Sequence, residues 1–303
     1  MLKIRKNVNT APLSTFKIGN RARYFCEVKN DNELLDAITV AEQLAIPYKI
    51  IAGGSNVVFP DKPLNCLLVK VISSKLKVAD GKIISDAGVP LSRVIAVAVK
   101  NGFKGLETLS GIPGTLGGAI VGNAGAYGHS ISEAVESVEI LDGKNKRWLT
   151  GGECSFAYRE SIFKERPYIV LRTVLKFQKG DPGELKKTSK NIIQVRLKKY
   201  KPGLCCPGSF FKNVLVKDVP HQALKLIDPN KIMGGKIPTG YLLEKVGARG
   251  MRRGGIKIAD FHGNLFINDG RARAADVKSL SRILKSKIKR KFGINLEEEV
   301  RYL

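Results

Sequence analysis

Residues 102–128 read G-F-K-G-L-E-T-L-S-G-I-P-G-T-L-G-G-A-I-V-G-N-A-G-A-Y-G and contain nine glycines in 27 positions. Glycine at this density costs conformational entropy on folding and supplies no side chain to a core. The segment suits backbone that approaches a ligand closely and directs N–H groups at phosphate oxygens. A set of tight turns between β-strands would have the same composition, and the segment alone does not decide between the two interpretations.

The glycine-dense segment matches neither common nucleotide motif. No G-K-[ST] follows it, which excludes a nucleoside-triphosphate P-loop, and it contains no G-x-G-x-x-G dinucleotide fingerprint. A second small-residue loop, G-G-S-N, occupies residues 53–56. Two separate loops of this kind could hold one extended diphosphate.

A β-α-β unit precedes the G-G-S-N loop. We predict a strand over 24–28, a helix carrying Leu34 to Leu44 and capped by Asp31 or Asn32, and a strand over 48–52. Further along the chain the patterns predict helices over 91–101 and 184–200 and strands over 137–141 and 168–177. The architecture is therefore mixed α and β.

The composition of 303 residues, 43% hydrophobic and 26% charged, is that of a folded globular protein. No apolar run approaches the roughly 18 residues that a membrane helix needs, and no secretory signal is recognisable, so we expect a cytoplasmic protein without membrane insertion. The five cysteines are odd in number and irregularly spaced, which argues against a disulfide framework. Adjacent Cys205 and Cys206 fit either a redox pair or a turn, and the histidines lie too far apart in sequence to predict a metal site.

The formal net charge is +25, from 52 Lys plus Arg against 27 Asp plus Glu. Such a surplus suits polyanionic partners, including nucleic acid and phosphorylated small molecules. Its densest part, residues 278–291, predicts an amphipathic helix whose basic face is either solvated or a nucleic-acid patch. Aromatic residues are not interleaved with these charges, as a single-strand binding platform would require.

Eight motifs follow one another along the chain: S-T-F-K-I-G-N (14–20), G-G-S-N (53–56), G-I-P-G-T-L-G-G (111–118), N-A-G-A-Y-G (123–128), Y-R-E-S (158–161), G-S-F-F-K-N (208–213), H-G-N-L-F-I-N (262–268) and L-E-E-E-V-R (296–301). In this order they resemble the motifs of the UDP-N-acetylenolpyruvoylglucosamine reductases, the flavoenzymes that complete UDP-N-acetylmuramate in bacterial peptidoglycan synthesis. They cover essentially the whole chain. Any one alone would be a weak signal.

The resemblance implies an α+β protein with an FAD-binding fold of the vanillyl-alcohol-oxidase (PCMH) type. Its two α/β lobes would span 1–70 and 71–185, and a C-terminal α+β substrate domain would span 186–303. It also implies non-covalent FAD, with NADPH as the reductant that delivers hydride through the flavin to the enolpyruvyl group. The implied cofactor-binding residues are Gly53, Gly54, Ser55, Asn56, Ile112, Gly114, Thr115, Gly118, Asn123 and Ala126.

The same resemblance assigns three catalytic residues. Hydride addition to an enol ether leaves negative charge on the neighbouring carbon, delocalised into the substrate carboxylate. Arg159 would stabilise that charge, Ser209 would deliver a proton, and Glu299 would be the catalytic acid, for which we expect a raised pKa. Without the motifs these residues read as a surface arginine, a turn cap and a solvated acidic strand end, and Glu298 is the alternative assignment for the acid.

The implied substrate-binding residues are Tyr158, Lys212, Asn213, His262 and Asn264. The expected partner is a small-molecule UDP-sugar, without nucleic acid, and the expected state is a monomer. Two alternatives remain: another FAD-dependent oxidoreductase of this fold that acts on an alcohol or hydroxy acid, or a basic nucleic-acid-binding protein.

Overall fold

The computed structural model describes residues 2–303, and the chain passes repeatedly between two units. Unit 1 collects residues 2–8, 22–53 and 65–198, and unit 2 collects residues 9–21, 54–64 and 199–303. Each unit is therefore assembled from segments that are distant in sequence.

The secondary structure is mixed throughout. In chain order the strands are β1 (Arg5–Asn9), β2 (Arg21–Val28), β3 (Tyr48–Ile51), β4 (Val57–Val58), β5 (Leu64–Val71), β6 (Leu76–Ala79), β7 (Lys82–Asp86), β8 (Phe103–Lys104), β9 (Gly125–Ala126), β10 (His129–Ser130), β11 (Val135–Asp142), β12 (Asn145–Thr150), β13 (Ile169–Lys176), β14 (Gln178–Lys179), β15 (Val214–Leu215), β16 (Lys236–Ile237), β17 (Arg252–Arg253), β18 (Ile256–Ile258), β19 (Phe266–Asn268) and β20 (Arg301–Tyr302). The helices are α1 (Asp31–Gln43), α2 (Leu91–Lys100), α3 (Leu116–Val121), α4 (Ile162–Glu165), α5 (Pro182–Lys199), α6 (His221–Leu224), α7 (Thr239–Glu244) and α8 (Ala274–Phe292). The predicted elements are present, with ends shifted by a few residues.

Unit 1 contains two principal sheets. One has the strand order β1-β2-β5-β3, with β3 and β5 parallel, as the β-α-β unit around α1 requires. The other has the order β12-β11-β13-β7-β6, and its neighbouring strands are antiparallel. The expected boundary between two lobes at residue 70 stays a prediction, because both sheets fall in the same unit.

Two helices of unit 1 show why the periodicity in the sequence predicted them. Helix α2 buries Leu91, Val94, Ile95, Ala98 and Val99, which recur at the spacing of one helical face. Helix α1 begins one residue earlier than the predicted caps allow: Asn30, in extended backbone, accepts a hydrogen bond from the N–H of Glu33 at 3.0 Å.

A single arginine pairs with three carboxylates beside the second sheet. Arg172 on β13 contacts Asp86 at 3.3 Å and Asp31 at 3.4 Å, and it also pairs with Glu139. Asp86 and Glu139 are buried. Burying carboxylates without a cation is costly, so this arginine stabilises strands β7, β11 and β13 together with the start of α1.

Replacing Arg172 with methionine should lower the free energy of unfolding by about 3 kcal/mol, because the buried carboxylates would lose their shared cation. The matched control is Lys144→Met, which removes an ion pair with Glu42 whose side chains are both more than half exposed. That change should cost less than about 1 kcal/mol. Urea unfolding of the two variants measures the difference, and equal losses would show that the Arg172 network contributes no more than a surface pair.

Unit 2 has one main hydrophobic core, packed around the long helix α8. Helix α8 buries Val277, Leu280, Leu284, Ile288 and Phe292, and its basic residues lie on the opposite side. The helix ends at Gly293, whose φ of 67° is the left-handed conformation that favours glycine. The three-stranded sheet β17-β18-β19 and the parallel pair β20 and β4 also belong to this unit.

The five cysteines are free thiols in the structure. Burial raises the pKa of Cys26 and of Cys154 to about 11, and it also raises the pKa of Cys206. None of the helices within residues 2–303 combines the length and hydrophobicity needed to span a membrane.

Candidate functional site

The two glycine loops expected to hold a diphosphate meet in unit 1. A Cβ built on Gly53 would lie only 2.8 Å from the Cα of Gly114, so the two backbones are in direct contact. Gly114 itself has a φ of 112°, in the region where only glycine is unstrained. A side chain at Gly53 would push the loops apart.

Backbone donors at this contact fit an anionic ligand. Within residues 2–303, no acceptor takes the N–H of Gly53, Gly114 or Thr115. Thr115 caps α3, and its side chain accepts from the N–H of Gly118. Unused N–H groups beside a helix start are the donors that a phosphate group requires.

The outer face of α3 is also open. A Cβ on Gly118 would meet its nearest protein atoms at 3.8 Å (Thr115 Oγ1) and 3.9 Å (Ala52 Cβ), which is ordinary contact. Gly117, one residue earlier, faces inward, and its Cβ would lie 2.7 Å from Ala87 Cβ. Packing therefore requires Gly117, whereas at Gly118 the protein leaves space that a side chain would fill. Together, the donors and this space fit the diphosphate of FAD.

Arg159 is held against the N-A-G-A-Y-G loop. Its Nη2 donates to the carbonyl of Gly125 at 2.6 Å and its Nη1 to the carbonyl of Asn123 at 3.4 Å. Its guanidinium lies 5.5 Å from the ring centroid of Tyr158. The φ of Arg159 is 58°, a left-handed conformation that is uncommon outside glycine and occurs at functional positions.

The other expected cofactor residues divide between the units. Asn123 is buried, and its amide serves the protein: Nδ2 donates to the carbonyl of Ala157 at 2.8 Å and Oδ1 accepts from the N–H of Ser132. Ala126 lies on β9, and Ile112 packs on the core of unit 1. The remaining three belong to unit 2: Gly54, Ser55 and Asn56.

The S-T-F-K motif holds the G-S-N turn in unit 2. The N–H of Thr15 donates to the carbonyl of Gly54 at 3.0 Å, and the Thr15 hydroxyl donates to the carbonyls of Ser55 and Cys206. Asn56 Nδ2 donates to the carbonyl of Glu299 at 3.0 Å. The turn is thereby fixed to the segment before β20 that carries the expected catalytic residue Glu299.

A cavity of about 360 Å³ in unit 2 contains four of the residues predicted from the sequence. Ser209, Asn213, His262 and Asn264 line it. Its other lining residues are Lys199, Lys231, Pro238, Gly240, Tyr241 and Glu244. The carboxylate of Glu244 pairs with Arg249 at 2.7 Å, so Lys199 and Lys231 give the cavity a positive character suited to an anion.

Asn264 positions the segment that carries Ser209. Its amide exchanges two hydrogen bonds with the backbone of Phe211, at 2.9 Å and 2.8 Å, and its own carbonyl accepts from the N–H of Phe210. Ser209 forms an antiparallel bridge with Leu265. The Asn264 side chain is buried, and its amide oxygen and nitrogen both bond to the Phe211 backbone, so it orients the segment that carries Ser209.

His262 is a neutral hydrogen-bonding group at the cavity wall. Burial, reinforced by the positive charge of Lys199, lowers its pKa to about 4. Its Nδ1 accepts from the N–H of Asn264 at 3.1 Å. An imidazole whose Nδ1 accepts must carry its proton on Nε2, so His262 is a donor through Nε2 near neutral pH.

The lowered pKa of His262 predicts how stability depends on pH. Below pH 6.5 the unfolded chain protonates this histidine, whereas the folded chain does so only near pH 4. The free energy of unfolding should therefore fall as the pH falls from 6.5 towards 4. His262→Gln should remove this contribution, and urea unfolding of both proteins at pH 7 and pH 5 measures it. Equal losses in the two proteins would contradict a neutral buried histidine.

The three adjacent glutamates have different environments. Glu297 is exposed and pairs with Lys212 at 2.7 Å. Burial alone would raise the pKa of Glu298, but hydrogen bonds from Lys285 and Ser281 lower it below its ordinary value. The N–H of Glu299 donates to the carbonyl of Phe210 at 2.8 Å, which places Glu299 opposite the residue that follows Ser209. The ionised Glu298 is a poor proton donor, and this favours Glu299 as the acid.

Lys212 and Asn213 follow Ser209 on the same segment but differ in what they face. Lys212 is largely buried and its ammonium pairs with Glu297, whereas Asn213 reaches the cavity. Asn213 Oδ1 accepts from the N–H of Thr239 at 3.2 Å at the start of α7. That bond directs the amide so that Nδ2 is the group able to donate to a ligand.

Sequence reasoning missed several residues of this cavity. Lys199 ends the basic helix α5, where it reads as part of a charged surface. Tyr200, the next residue, lies beside the cavity and donates to or accepts from the Ser209 hydroxyl. Lys231 and Tyr241 lie outside every motif. Lys199 at the end of α5 was the one available signal, because it closes a run of lysines that approaches the serine motif.

Two family models match the chain. Residues 22–150 match an FAD binding domain, and residues 184–303 match the C-terminal domain of UDP-N-acetylenolpyruvoylglucosamine reductase. These matches fall on the glycine loops and on the Ser209 cavity.

Curated relatives match over nearly their full length. The chain is 40% identical over 298 residues to a UDP-N-acetylenolpyruvoylglucosamine reductase of Solibacter usitatus, covering 97% of this chain and 96% of that one. It is 33% identical over 288 residues to that of Thermotoga maritima, covering 95% and 94%. The crystal structure of the Thermus caldophilus reductase aligns with a TM-score of 0.78 at 26% identity, covering 100% and 99%.

The chain belongs to the UDP-N-acetylenolpyruvoylglucosamine reductase family. The resemblance inferred from the eight motifs is thereby confirmed, as is the expected α+β fold that joins an FAD-binding domain to the family's C-terminal domain.

Proposed function

We propose that this chain catalyses the NADPH-dependent reduction, through FAD, of UDP-N-acetylglucosamine-enolpyruvate to UDP-N-acetylmuramate in peptidoglycan precursor synthesis. The observation that carries the proposal is the cavity of unit 2, where Ser209 lies among cationic and neutral donors suited to a nucleotide diphosphate. The reaction also requires a binding site for the flavin, and the glycine loops of unit 1 supply it in this proposal.

FAD, when bound, supplies hydride transfer from NADPH to the enolpyruvyl double bond. In unit 1 the N–H groups of Gly53, Gly114 and Thr115 would hold its diphosphate, and the open face of Gly118 would admit it. The expected contributions of Gly54, Ser55 and Asn56 remain part of this proposal.

The cavity residues of unit 2 bind the UDP-sugar. Lys199 and Lys231 supply positive charge for the diphosphate, and the Asn213 amide and the His262 Nε2–H supply directional donors. Because His262 is neutral, it contributes a hydrogen bond without adding charge. Tyr158 and Lys212 complete the proposed substrate-binding set.

Arg159 stabilises the negative charge that develops on the substrate, and Ser209 neutralises it by donating a proton. Arg159 binds the substrate carboxylate, into which the negative charge of the reacting carbon is delocalised, and its contacts with the carbonyls of Asn123 and Gly125 fix its orientation. Ser209 donates its hydroxyl proton to that carbon. The bridge to Leu265 and the amide of Asn264 fix the backbone from which Ser209 acts.

Glu299 is the proposed catalytic acid. Its backbone is held on both sides, through its N–H to Phe210 and through its carbonyl from Asn56. A glutamate beside developing negative charge assists only in its protonated form, which is why a raised pKa is expected there.

The proposed reaction also implies a cellular compartment and a class of partners. A reaction that uses NADPH and a UDP-sugar belongs in the cytoplasm, and its partners are small molecules, so the +25 charge requires no nucleic-acid ligand. The proposed catalytic residues all come from this chain, which is compatible with a monomer.

The test is consumption of NADPH in the presence of the enolpyruvyl nucleotide. We expect oxidation of one NADPH per nucleotide reduced, and no stimulation by UDP-N-acetylglucosamine, which lacks the enolpyruvyl group. Oxidation of NADPH at the same rate with both nucleotides would contradict the proposal and would favour a flavin oxidase.

A further inference from the structure

The hydroxyl of Ser209 has a partner that the motifs do not predict. Tyr200 Oη lies 3.2 Å from Ser209 Oγ, and either oxygen can be the donor. Within residues 2–303 no other side chain hydrogen-bonds to this hydroxyl. The contact lies inside unit 2, beside the cavity that Ser209 lines.

The ring of Tyr200 is fixed by packing. It lies against a small cluster formed by Cys206, Ala259 and Leu265, and Lys199 Nζ lies 5.0 Å from its ring centroid. Leu265 is also the residue bridged to Ser209. The same cluster therefore holds both the phenol and the backbone of the serine, and Tyr200 keeps part of its surface in solvent.

The direction of the hydrogen bond decides whether Ser209 is able to donate. A serine has one hydrogen, so a serine that donates to Tyr200 points its proton away from any substrate. We propose that Tyr200 donates to Ser209 Oγ and is a positioning residue for proton transfer. The inference rests on the proposed function of Ser209 as the proton donor.

Tyr200 also returns the proton that Ser209 loses. As the Ser209 O–H bond breaks and a C–H bond forms on the substrate, the Tyr200 O–H bond breaks in the same step and its proton re-forms the Ser209 O–H bond. The phenolate then takes a proton from water, so that the net transfer is one proton from solvent to carbon. A phenol is a far stronger acid than an alcohol, and the transfer from Tyr200 to the developing alkoxide is therefore downhill.

The decisive variant is Tyr200→Phe, which keeps the ring and removes the hydroxyl. Substrate reduction should slow by about tenfold to a hundredfold, a part of the 10²–10⁴-fold that a positioned acid contributes. Reduction of the flavin by NADPH and the KM for the enolpyruvyl nucleotide should not change. Turnover in mixtures of H₂O and D₂O should show two transferred protons in the wild type and one in the variant, a difference that a purely packing role would not produce.

The matched control is Tyr168→Phe, which removes a tyrosine hydroxyl hydrogen-bonded to Arg147 in unit 1. Its turnover should equal that of the wild type. If Ser209→Ala is slow and Tyr200→Phe is normal, the inference is overturned while the proposed function stands. If Tyr200→Phe still shows two transferred protons, the proposed role of Tyr200 is overturned, whatever the turnover rate of the variant. Normal turnover of Ser209→Ala would also overturn it, because the role of Tyr200 depends on Ser209 being the proton donor.

Discussion

Ser209→Ala is expected to slow transfer to the enolpyruvyl nucleotide by about 10²–10⁴-fold, the contribution of a positioned proton donor. The variant should still be reduced by NADPH, because Ser209 lies in the unit 2 cavity and not among the glycine loops of unit 1. Rapid-mixing absorbance measurements follow the two half-reactions separately. The expected pattern is a normal loss of flavin absorbance followed by a slow return when the nucleotide is added.

The matched control is Ser286→Ala, on the exposed side of α8. It should leave both half-reactions unchanged. If Ser209→Ala returned to the oxidised state as fast as the wild type, another group would have to supply the proton. A loss of both half-reactions would indicate damage to the cofactor site instead of loss of a proton donor.

The second large effect is expected at Gly118. Gly118→Val should fold normally, since its Cβ would meet protein atoms only at 3.8 Å and beyond, and valine is a better helix former than glycine. The added side chain would occupy the space proposed for the diphosphate. Overpacking typically costs about 1–3 kcal/mol, so affinity for FAD should fall by about tenfold to a hundredfold.

FAD content per chain after purification and FAD titration of the apoprotein measure this effect, with the melting temperature as the folding control. Gly152→Val, in an exposed turn where the nearest atom to a Cβ is Thr150 Oγ1 at 4.0 Å, is the matched substitution and should retain the flavin. Full FAD occupancy in Gly118→Val would show that the flavin does not use the open face of α3.

The sequence predicted the elements whose burial is periodic. Helix α2 and helix α8 have apolar residues at helical spacing, and the structure buries those residues. The prediction that Asp31 or Asn32 caps α1 was wrong, because the cap is Asn30. All three residue types are good caps, and which of them acts depends on where the chain leaves extended backbone. Patterns of residue type do not contain that choice.

The motifs predicted which regions contain the functional residues, but not which side chains in those regions face a ligand and which bond to the protein. Asn123 and Asn264 look like ligand-binding amides in sequence, yet both side chains bond to the protein backbone. Tyr200 looks like the end of a charged helix, yet it contacts Ser209. Such roles depend on which backbone groups tertiary folding brings near a side chain, and residue spacing carries no information about that.

The glutamate run shows the same limit. Matching E-V-R favoured Glu299, and sequence alone left Glu298 as an alternative. The structure gives Glu298 a cation, Lys285, and gives Glu297 another, Lys212, so the environments separate three residues of identical type. The role of Glu299 itself stays a prediction.

The most direct test of the proposed reaction is an anaerobic experiment on the flavin-loaded wild-type protein. NADPH should bleach the flavin, and addition of the enolpyruvyl nucleotide should restore the oxidised spectrum in proportion to the UDP-N-acetylmuramate formed. A flavin that stays bleached with the nucleotide and recovers only when air is admitted would contradict the account.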